Sequence, residues 1–487
     1  MVQSSKNYID GAWIASKTRK TFVSTNPATG QVLGRFQASD ERDVTAAIHA
    51  AEKAFSKWRL VPAPKRGEIL LRVAQLLRAK KEEFSRLVTI EMGKVIAEGR
   101  GDVQEAIDFL EYIAGEGRRM FGYTTPSELP NKFAMSVRDP IGVCGLITPW
   151  NFPIAIPSWK IAPALLCGNT IVFKPASDTP LSALRFTELF IKAGLPKGVL
   201  NVVTGGGTAV GSPLVKHKNV RCISFTGSRD TGDWITKNAG IKRVSLELGG
   251  KNVIIVMDDA DLNLAVDGVI WGGYGTTGQR CTATSRVVVH QKVKATFERM
   301  LLNRTKRLRL GNGIHPKTDV GPMINKAAIE KSQRYVEIGK QEGAKLLTGG
   351  KPIRGRGHFF QPTLFTNTTS DMRICQEEIF GPVVSLMVAK NLDHAIDLAN
   401  NITYGLSSAI YTRNVNNAFT AMRDLESGVM YVNASTIGAE VHLPFGGIKG
   451  TGNGAREGGW TAIEEFSEHK AIYVDYSGTL QRAQIDV

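Results

Sequence analysis

A carboxylate and a thiol stand 34 positions apart, each in a segment whose glycines would let a ligand or another backbone come close. Glu247 lies in the segment SLELGGKN, and Cys281 lies in the segment GQRCTATSR. A cysteine becomes a good nucleophile when its surroundings favour the thiolate, and a carboxylate is a common general base. Taken singly, Glu247 is also typical of a turn and Cys281 of a buried structural thiol. Further motifs are needed to decide between these interpretations.

A proline-bracketed turn, PWNFP at 149–153, follows the predicted strand Val143–Thr148. The two prolines would hold the amide of Asn151 in one direction, and a fixed amide donor can stabilise a developing oxyanion. An asparagine in a turn also commonly bonds its own backbone, as an Asx turn. Both interpretations of Asn151 stay open at this level.

Two glycine-containing turns follow predicted strands and are candidate nucleotide sites. The first, GGGTAVG at 205–211, follows the predicted strand Val199–Val203 but departs from the dinucleotide pattern GxGxxG, because Val210 stands where a glycine is required. The second, FTGS at 225–228, ends the next predicted strand and opens a predicted helix at Arg229. Free backbone amides at helix N-termini attract phosphate, so either turn suits a pyrophosphate. The alternative is that both are ordinary strand-to-helix turns.

Short apolar runs that alternate with helical segments predict the frame around these turns. The first set consists of Val143–Thr148, Thr170–Phe173, Val199–Val203 and Val220–Phe225. A second set follows Cys281 and consists of Arg286–His290, the helix Val293–Leu308, Val383–Val388 and Ser407–Tyr411. Strands spaced by helices predict parallel, doubly wound sheets. We therefore expect two α/β lobes that meet around Gly249 to Cys281.

The N-terminal part of the chain predicts hairpins followed by helices. Residues Asn7–Leu33 are short, turn-rich and alternating, which is typical of hairpins. Helical spacing of apolar residues predicts three helices, at Asp40–Trp58 with Ser39 or Asp40 as a cap, at Lys65–Phe84 and at Gly101–Phe121.

Length and composition favour a multi-lobed protein that binds small anionic ligands. A chain of 487 residues exceeds single-core size, and no run of about 18 apolar residues predicts a membrane span. Its five cysteines form no CxxC pair, which predicts a reducing compartment and no metal site. The N-terminus lacks a secretory signal, so we expect the protein to be located in the cytoplasm. The net charge of +16 comes from lysines and arginines scattered through predicted helices, so we expect no nucleic-acid partner and no membrane partner.

Seven segments, in this order and at these separations, resemble the NAD(P)-dependent aldehyde dehydrogenase superfamily over nearly the whole chain. They are PWNFP at 149–153, FKPAS at 173–177, FTGS at 225–228, ELGGKN at 247–252, GQRC at 278–281, EEIFGP at 377–382 and PFGG at 444–447. The resemblance implies an α/β fold with a Rossmann-like cofactor lobe (1–121 and 141–249), an α/β catalytic lobe (250–449) and a small bridging β element (122–140 and 466–487). In relatives that element pairs edges between subunits, which implies a homodimer or homotetramer.

The resemblance also implies a reaction and assigns residues to it. Cys281 matches the nucleophile, Glu247 the general base, and Asn151 the oxyanion donor, which acts with the backbone amide of Cys281. Glu457 matches a second carboxylate on a proton path. The cofactor-binding matches are Lys174 and Glu378 for the ribose hydroxyls, Gly227 and Ser228 for the pyrophosphate, and Trp150 and Phe380 for packing. The implied reaction oxidises an aldehyde to a carboxylic acid through a thiohemiacetal and then a thioester on Cys281.

The residue at position 177 bears on the choice between NAD and NADP. Family members that use NAD commonly carry a glutamate where Ser177 stands, and that carboxylate binds the adenosine ribose 2′-hydroxyl and would repel a 2′-phosphate. Serine would not repel it, so NADP is favoured, with Lys174 and Arg229 as candidate phosphate partners. Asp178, the next residue, could take the place of the glutamate, and NAD therefore stays open.

The substrate side is predicted from aromatic and basic positions. The predicted substrate residues are Phe152, Trp159, Arg280, Thr282, His442 and Phe445. The aromatic members match a tunnel in the family, which would give an apolar slot for the aldehyde carbon chain. The two basic members could meet a substrate carboxylate, or they could be solvated surface groups. Three runs, at 149–160, 278–286 and 433–440, resemble enzymes that oxidise 2-oxoglutarate semialdehyde (2,5-dioxopentanoate).

Other functions compete with a semialdehyde dehydrogenase. A broad-specificity, succinate semialdehyde or betaine-type enzyme would share the same catalytic motifs. The succinate semialdehyde alternative is weakened by Trp159, because the bacterial enzymes usually carry an arginine there. A catalytically silent relative that binds nucleotide or nucleic acid through its basic surface is the alternative of another class. The presence of Cys281, Glu247 and Asn151 together speaks against a silent protein.

Overall fold

The computed structural model of the protein describes residues 5–485. In that part of the chain the strands form two seven-stranded sheets, a three-stranded sheet and two two-stranded sheets. The strands are β1 (Asn7–Ile9), β2 (Ala12–Ile14), β3 (Thr21–Thr25), β4 (Val32–Gln37), β5 (Thr124–Pro126), β6 (Lys132–Pro140), β7 (Val143–Ile147), β8 (Thr170–Lys174), β9 (Leu200–Val202), β10 (Val220–Thr226), β11 (Arg243–Glu247), β12 (Asn252–Val256), β13 (Thr284–His290), β14 (Lys345–Thr348), β15 (Thr363–Thr366), β16 (Val383–Ala389), β17 (Tyr404–Gly405), β18 (Ser407–Tyr411), β19 (Val429–Val432), β20 (Ile448–Lys449) and β21 (Ser467–Asp475).

Helices connect the strands, together with a π-helical turn at Gly207–Gly211 and a 3₁₀ turn at Gly275–Gly278. The α-helices are α1 (Glu41–Trp58), α2 (Ala63–Ala79), α3 (Lys81–Met92), α4 (Ile96–Glu116), α5 (Ala155–Cys167), α6 (Pro180–Lys192), α7 (Ser212–Lys216), α8 (Arg229–Asn238), α9 (Leu262–Tyr274), α10 (Lys294–Lys306), α11 (Lys326–Gln341), α12 (Arg373–Gln376), α13 (Leu392–Asn400), α14 (Val415–Asp424) and α15 (Thr461–Glu465). Within residues 5–485 none of them combines the length and the apolar character needed to cross a bilayer.

The N-terminal elements follow the prediction except at two helices, of which α4 (Ile96–Glu116) begins and ends five residues before the predicted Gly101–Phe121. The two expected hairpins are β1–β2 and β3–β4, and α1 begins behind Asp40, whose side chain accepts the backbone N–H of Arg42 in a capping box. The prediction of one helix over Lys65–Phe84 is wrong, because α2 ends at Ala79 and α3 begins at Lys81. The residues around the break contain no glycine or proline, so the apolar periodicity runs through it without a signal.

The first large sheet has the strand order β11-β10-β7-β8-β9-β1-β2. Strands β7 to β11 run parallel, and strands such as Val143–Ile147 are buried along their whole length because helices cover both faces of a parallel sheet. The register pairs Thr226 with Glu247 at the ends of β10 and β11. The FTGS turn and Glu247 therefore lie together at the carboxyl edge of this sheet, where open α/β sheets bind ligands.

The second large sheet has the order β14-β15-β16-β13-β12-β18-β19 and is parallel except for β14. The register pairs Asn252 with Thr284, the first residues of β12 and β13. The Asn252 amide donates to the carbonyl oxygens of Cys281 at 2.7 Å and Ala283 at 3.0 Å, which fixes the chain before β13. Cys281 thus lies at the amino edge of this sheet. Residues 248–251 connect it directly to the carboxyl edge of the first sheet.

The three-stranded sheet joins two distant segments of the chain. β21 pairs antiparallel with β6 from Ser467 opposite Pro140 to Asp475 opposite Lys132, and β5 pairs with β6 as well. These strands correspond to the predicted bridging element. Residues 1–4 and 486–487 of the predicted domains lie outside the described residues. The domain boundaries themselves stay a prediction.

Candidate active site

Cys281 opens onto a cavity of about 330 Å³ whose walls come from both large sheets. Asn151 follows β7 and Gly227 follows β10 on one side, while Cys281 precedes β13 and Glu378 precedes β16 on the other. All four residues line this first cavity. The fold therefore brings the predicted nucleophile and the predicted oxyanion donor to one space, although they are 130 positions apart in the chain.

The residue Cys281 is partly exposed, which sets it apart from the four buried cysteines Cys144, Cys167, Cys222 and Cys375. Burial, together with the negative charges of Glu247 and Glu378, raises the pKa of the Cys281 thiol to about 12. The backbone N–H groups of Cys281 and Thr282 act in the opposite direction. The sulfur is consequently a protonated thiol at neutral pH in this state, and a base or a nearby positive charge is needed to form the thiolate.

Asn151 is 3% exposed, and its amide bonds to the segment that carries Cys281. Its Nδ2 donates to the carbonyl oxygen of Gln279 at 3.1 Å, two residues before the nucleophile. This bond fixes the amide against the chain that carries Cys281. Because an amide nitrogen has two N–H groups, the second one stays available to a ligand in the cavity.

Glu247 ends β11 and lies in a buried group of charges. An added Cβ at Gly446 would lie 2.7 Å from its Oε1, so a glycine is needed there to make room for the carboxylate. Burial and the neighbouring carboxylate of Glu457 raise the pKa of Glu247 well above its usual range, against the effect of Lys160. Lys160 forms an ion pair with Glu457, and its Nζ donates to Ser224 Oγ at 2.8 Å. Glu247 therefore lies within the electrostatic reach of a second carboxylate and a buried ammonium group.

The backbone before Cys281 makes a left-handed turn. Thr276 (φ 50°, ψ 27°), Thr277 (φ 58°, ψ 34°) and Gly278 (φ 68°) are three consecutive residues in the left-handed region. This conformation costs roughly 1–2 kcal/mol for each L-residue, and a β-branched residue there is an outlier. At Gly278 the approach is also close, because an added Cβ would lie 2.3 Å from the carbonyl oxygen of Gly381. Strained backbone that persists in this way is typical of functional sites.

A second cavity, of about 670 Å³, adjoins the first. The residues that line both cavities are Pro149, Trp150, Thr226, Gly227 and Ser228. A long ligand could therefore extend from Cys281 past the FTGS turn into the second cavity.

The second cavity offers free amides and a positive charge. α8 begins at Arg229, directly after Ser228, and no side chain among the described residues caps its first amides. Ser228 Oγ and Thr231 Oγ1 lie 2.9 Å apart at this helix start. Lys174 lines the same cavity, and burial lowers its pKa to about 8 while Asp178 acts in the opposite direction. A helix N-terminus beside a lysine suits a phosphate group.

Ser177 lies beside the second cavity, since its neighbours Lys174 and Ala176 line it. The Ser177 hydroxyl donates to the carbonyl oxygen of Gly205 at 3.0 Å. The carboxylate of Asp178 accepts a hydrogen bond from Asn325 Nδ2 at 3.0 Å. Asp178 is thus bonded to Asn325, a residue of the first cavity's wall.

Three predicted cofactor residues surround the first cavity. Glu378 Oε1 accepts the backbone N–H of Gly250 at 3.0 Å, and burial raises the pKa of Glu378. The ring of Phe380 meets the ring of Trp150 edge-on, with the centroids 5.5 Å apart. Phe380 has a φ of 58°, a left-handed conformation that is rare for a bulky residue. The cavity therefore combines a carboxylate with two aromatic surfaces.

The predicted tunnel residues fall into two places. Trp159 stacks on Phe109 with the ring centroids 5.0 Å apart and meets Phe445 edge-on at 5.5 Å. The ring of Phe152 lies instead against two cations, 3.6 Å from the Lys94 ammonium and 5.2 Å from the Arg280 guanidinium. Trp159 and Phe445 thus form one aromatic cluster, and Phe152 lies beside the residue that precedes Cys281.

The remaining predicted substrate residues differ in their surroundings. Arg280 is largely buried and forms an ion pair with Glu98 at 3.3 Å. The Thr282 carbonyl accepts a hydrogen bond from Thr436 Oγ1 at 2.8 Å. His442 is exposed and lies 3.6 Å from Glu440. Arg280 and Thr282 therefore flank Cys281, and His442 lies on the surface.

Sequence reasoning missed three charged residues near the site. Lys160 interrupts the apolar helix AIPSWKIAPALLC, and a lysine in such a run is a signal for a buried ion pair that could have been used. Lys331 lines the first cavity but comes from the polar helix α11, which gives no such signal. Glu98, in the first turn of α4, contacts the turn before Cys281 across 178 positions, and no local pattern predicts that contact.

Comparison with known proteins decides the family. Residues 13–472 match the family model described as aldehyde dehydrogenase family. The chain belongs to the aldehyde dehydrogenase family. The predicted family and the predicted α/β fold class are confirmed. This aldehyde dehydrogenase is an NAD(P)-dependent enzyme that oxidises an aldehyde to a carboxylic acid.

Its relatives are similar over nearly their whole lengths. Alpha-ketoglutaric semialdehyde dehydrogenase from Bacillus subtilis (strain 168) is 40% identical, with 96% of this chain and 97% of that protein covered. The 2,5-dioxopentanoate dehydrogenase from Saccharolobus solfataricus is 42% identical, with 95% and 97% covered. A crystal structure of betaine aldehyde dehydrogenase from Staphylococcus aureus in complex with NAD⁺ is similar at a TM-score of 0.96 and 37% identity, and 98% of this chain and 95% of that chain are covered.

Proposed function

We propose that this aldehyde dehydrogenase oxidises 2-oxoglutarate semialdehyde to 2-oxoglutarate and uses NADP in preference to NAD. The position of Cys281 carries the proposal, because its thiol opens onto a cavity that continues into a second one suited to a dinucleotide. The substrate class is supported by the names of the relatives from Bacillus subtilis and Saccharolobus solfataricus.

Cys281 and Asn151 perform the first half of the proposed reaction. The Cys281 thiol first releases its proton to solvent, and the thiolate sulfur then adds to the aldehyde carbon, so that a C–S bond forms, the C=O π bond breaks and the carbonyl oxygen becomes an oxyanion. Nδ2 of Asn151 and the backbone N–H of Cys281 donate to that oxygen as its charge develops. Bound NAD(P)⁺ supplies the acceptor for the hydride that leaves the same carbon. The product of this half is a thioester on Cys281.

Glu247 performs the second half. Its carboxylate removes a proton from water, the water oxygen adds to the thioester carbon, and the C–S bond breaks to release the carboxylic acid and Cys281. A raised pKa suits this role, because it makes the carboxylate a stronger base toward the proton of water. The ion pair of Lys160 and Glu457 lies close to Glu247 and is the group that we assign to receive that proton.

The residues around the two cavities fit a dinucleotide. The uncapped amides at the start of α8, with Ser228, suit the pyrophosphate. Lys174 and Glu378 are an ammonium and a carboxylate that can bond ribose hydroxyls, and they line the second and the first cavity respectively. Trp150 and Phe380 supply aromatic surface near Cys281. We assign these residues, with Gly227 in the FTGS turn, to the cofactor.

A substrate carboxylate is assigned to Arg280. Its Nε donates to Thr276 Oγ1 at 2.8 Å and its Nη2 to Glu98 at 3.3 Å, and we assign the remaining Nη1 to the carboxylate. Lys94 and Arg280 both lie against Phe152, so a cationic aldehyde such as betaine aldehyde would meet two positive charges there. Phe152, Trp159, Thr282 and Phe445 are assigned to the apolar part of the substrate site, and His442 to its rim.

A panel of aldehydes with both cofactors tests the proposed substrate. We expect kcat/KM for 2-oxoglutarate semialdehyde to exceed that for uncharged pentanal by about 10-fold or more, since a charge-assisted hydrogen bond contributes about 1.5–3 kcal/mol. Succinate semialdehyde should fall between them and betaine aldehyde below them. NADPH or NADH formation at 340 nm, a wavelength at which only the reduced cofactor absorbs, is the measurement. Equal or better rates with pentanal or betaine aldehyde would contradict the assignment of an anionic substrate.

The variant Ser177→Glu tests the preference for NADP. A glutamate beside Lys174 would place a negative charge near the 2′-phosphate, and we expect the KM for NADP to rise by about 30-fold while that for NAD changes by less than about threefold. Ser177→Ala is the matched control, because it removes the hydroxyl without adding charge, and it should keep the preference. An unchanged KM for NADP in Ser177→Glu would show that the 2′-position binds elsewhere. Side-by-side Michaelis constants for the two cofactors are the measurement.

We further propose that the protein is a cytoplasmic homodimer or homotetramer that assembles through the three-stranded sheet. β21 is the outer strand of that sheet and runs for nine residues from Ser467 to Asp475. Exposed apolar side chains accompany it, namely Tyr123, Phe133, Tyr473, Val474 and Tyr476. A long, exposed and partly apolar edge strand favours pairing with another chain. The five unpaired cysteines fit a reducing compartment.

A further inference from the structure

The left-handed turn at Thr276, Thr277 and Gly278 must be held by its surroundings, because two of its three residues are β-branched. Both threonines are buried, at 2% and 1% exposure, so water does not compensate their backbone groups. Thr277 Oγ1 donates to the carbonyl oxygen of Gly321 at 3.0 Å, which ties the middle of the turn. The start of the turn depends on a different partner.

That partner is Glu98, in the first turn of α4. Its Oε1 accepts the backbone N–H of Thr276 at 2.7 Å and a hydrogen bond from Arg280 Nη2 at 3.3 Å. Arg280 Nε donates in turn to Thr276 Oγ1 at 2.8 Å. The three residues therefore close a ring in which Glu98 holds the backbone of Thr276 directly and the side chain of Thr276 through Arg280. The fit is tight, since an added Cβ at Gly275 would lie 3.0 Å from Oε1.

Gln279 connects the turn to Asn151 and to Cys281. The Gln279 backbone N–H donates to the Thr276 carbonyl oxygen at 3.0 Å, and the Gln279 carbonyl oxygen accepts from Asn151 Nδ2 at 3.1 Å. The Gln279 side chain also anchors the segment, because its Oε1 accepts the backbone N–H of Ile324 at 2.9 Å. A shift of Thr276 would therefore move the acceptor that orients Asn151 and the chain that carries Cys281.

We infer that Glu98 is a positioning residue that keeps Thr276 in its left-handed conformation and thereby aligns Cys281 with Asn151. The inference rests on the proposed roles of those two residues. Glu98 acts through Thr276, Arg280 and Gln279 and not by contact with the substrate. It belongs to α4, a helix from the part of the chain before the first parallel strands, so the nucleophile's turn is fixed by a side chain far away in sequence.

The variant Glu98→Ala tests the role. With uncharged pentanal, which does not need the Arg280 charge, we expect the rate of the first hydride transfer to fall by about 10- to 100-fold, because a charge-assisted hydrogen bond to a strained segment is lost. Alkylation of Cys281 by iodoacetamide at pH 8 should also slow by about fivefold or more, since the thiolate loses its alignment with the backbone N–H groups. Glu111→Gln, on the same helix in an exposed ion pair with Arg78, is the control and should stay within twofold of wild type in both measurements.

A second substitution separates positioning from a general structural role. Asparagine tolerates the left-handed region much better than threonine and keeps a polar side chain for Arg280 Nε. We therefore expect Glu98→Ala/Thr276→Asn to recover at least threefold in both rates relative to Glu98→Ala. If Glu98→Ala were defective only because it is less stable, Thr276→Asn would not restore the hydride-transfer rate or the alkylation rate of Cys281. Rates are expressed per folded molecule, with the thermal midpoint measured beside them.

The outcomes decide the inference. Folded Glu98→Ala with both rates within twofold of wild type would overturn it, and so would a defect that Thr276→Asn does not relieve. If Glu98→Ala does not fold, Glu98→Gln takes its place, since its amide oxygen can still accept from Thr276 and a defect of about 3- to 10-fold is expected. Alkylation of Cys281 does not depend on any substrate, so it tests the positioning role of Glu98 even if no aldehyde is oxidised. Failure of the proposed function is thereby distinguished from failure of this inference.

Discussion

The variant Cys281→Ala is expected to lose turnover by about 10⁴-fold or more while its dissociation constant for NADP stays within about twofold of the wild-type value. Alanine removes the sulfur that forms the covalent bond, and the remaining donors give only weak residual catalysis. In the proposed binding mode the dinucleotide contacts mainly the start of α8 and Lys174, which line the second cavity, whereas Cys281 lines only the first. Steady-state NADPH formation and a fluorescence titration of the nucleotide are the two measurements.

The matched control for this prediction is Cys375→Ala, the same change at a thiol buried in the second lobe. Its turnover per folded molecule should stay within about threefold of wild type. Turnover of Cys281→Ala within tenfold of wild type would remove the thiol from the mechanism. A wild-type protein that binds NADP but oxidises none of the aldehydes would instead favour the catalytically silent alternative.

Within residues 5–485, seven of the eleven parallel strands could be predicted from the sequence, because burial on both faces leaves a simple signal, and β11, β12, β15 and β19 were not predicted. Runs such as Val143–Thr148 and Val220–Phe225 are mostly apolar and end at glycine, proline or a polar turn. The observed strands Val143–Ile147 and Val220–Thr226 differ from them by one residue. The break between α2 and α3 has no such signal, because the apolar period continues across Lys80 and only packing decides where one helix stops.

Sequence reasoning could predict those residues of the candidate site that directly follow or precede a strand. Asn151 follows β7, Ser228 follows β10, and Glu247 ends β11, so each sits where a parallel sheet presents ligand-binding groups. Side-chain directions were not accessible in this way. Sequence alone could not decide whether Asp178 replaces a glutamate at position 177, because its hydrogen bond to Asn325 crosses 147 positions.

Supporting residues escaped prediction for the same reason. Lys160 reaches Glu457 across 297 positions, and Glu98 reaches Thr276 across 178. Such contacts depend on how α4 and α5 pack against later parts of the chain, and helix propensity and hydrophobic period carry no information about them. The conformation of Thr276 and Thr277 was equally hidden, since threonine is among the residues least expected in the left-handed region. A strained backbone conformation has to be observed in the structure before one can look for the residue that stabilises it.

The second large effect is expected for Glu247→Gln, in which an acyl-enzyme should accumulate after one rapid turnover. Glutamine is nearly isosteric with glutamate but cannot remove a proton from water, so the thioester on Cys281 forms at close to the wild-type rate and then persists. We expect a burst of NADPH of about one equivalent per active site, followed by a steady rate that is lower by about 10²- to 10⁴-fold. Rapid-mixing absorbance measures the burst, and intact-protein mass spectrometry detects the acyl group.

The pH profile separates a base at Glu247 from a merely electrostatic role. Burial and the carboxylate of Glu457 raise the pKa of Glu247, so the wild-type base becomes active only as pH rises through that raised pKa, and the deacylation rate should increase over the same range. Glu247→Gln has no titrating group at position 247, so its slow deacylation rate should not increase over this pH range. Glu188→Gln, the same change in a surface ion pair with Arg185, should keep the wild-type profile. If the deacylation rate of Glu247→Gln still increases over this pH range and no acyl-enzyme is detected, another group must activate the water.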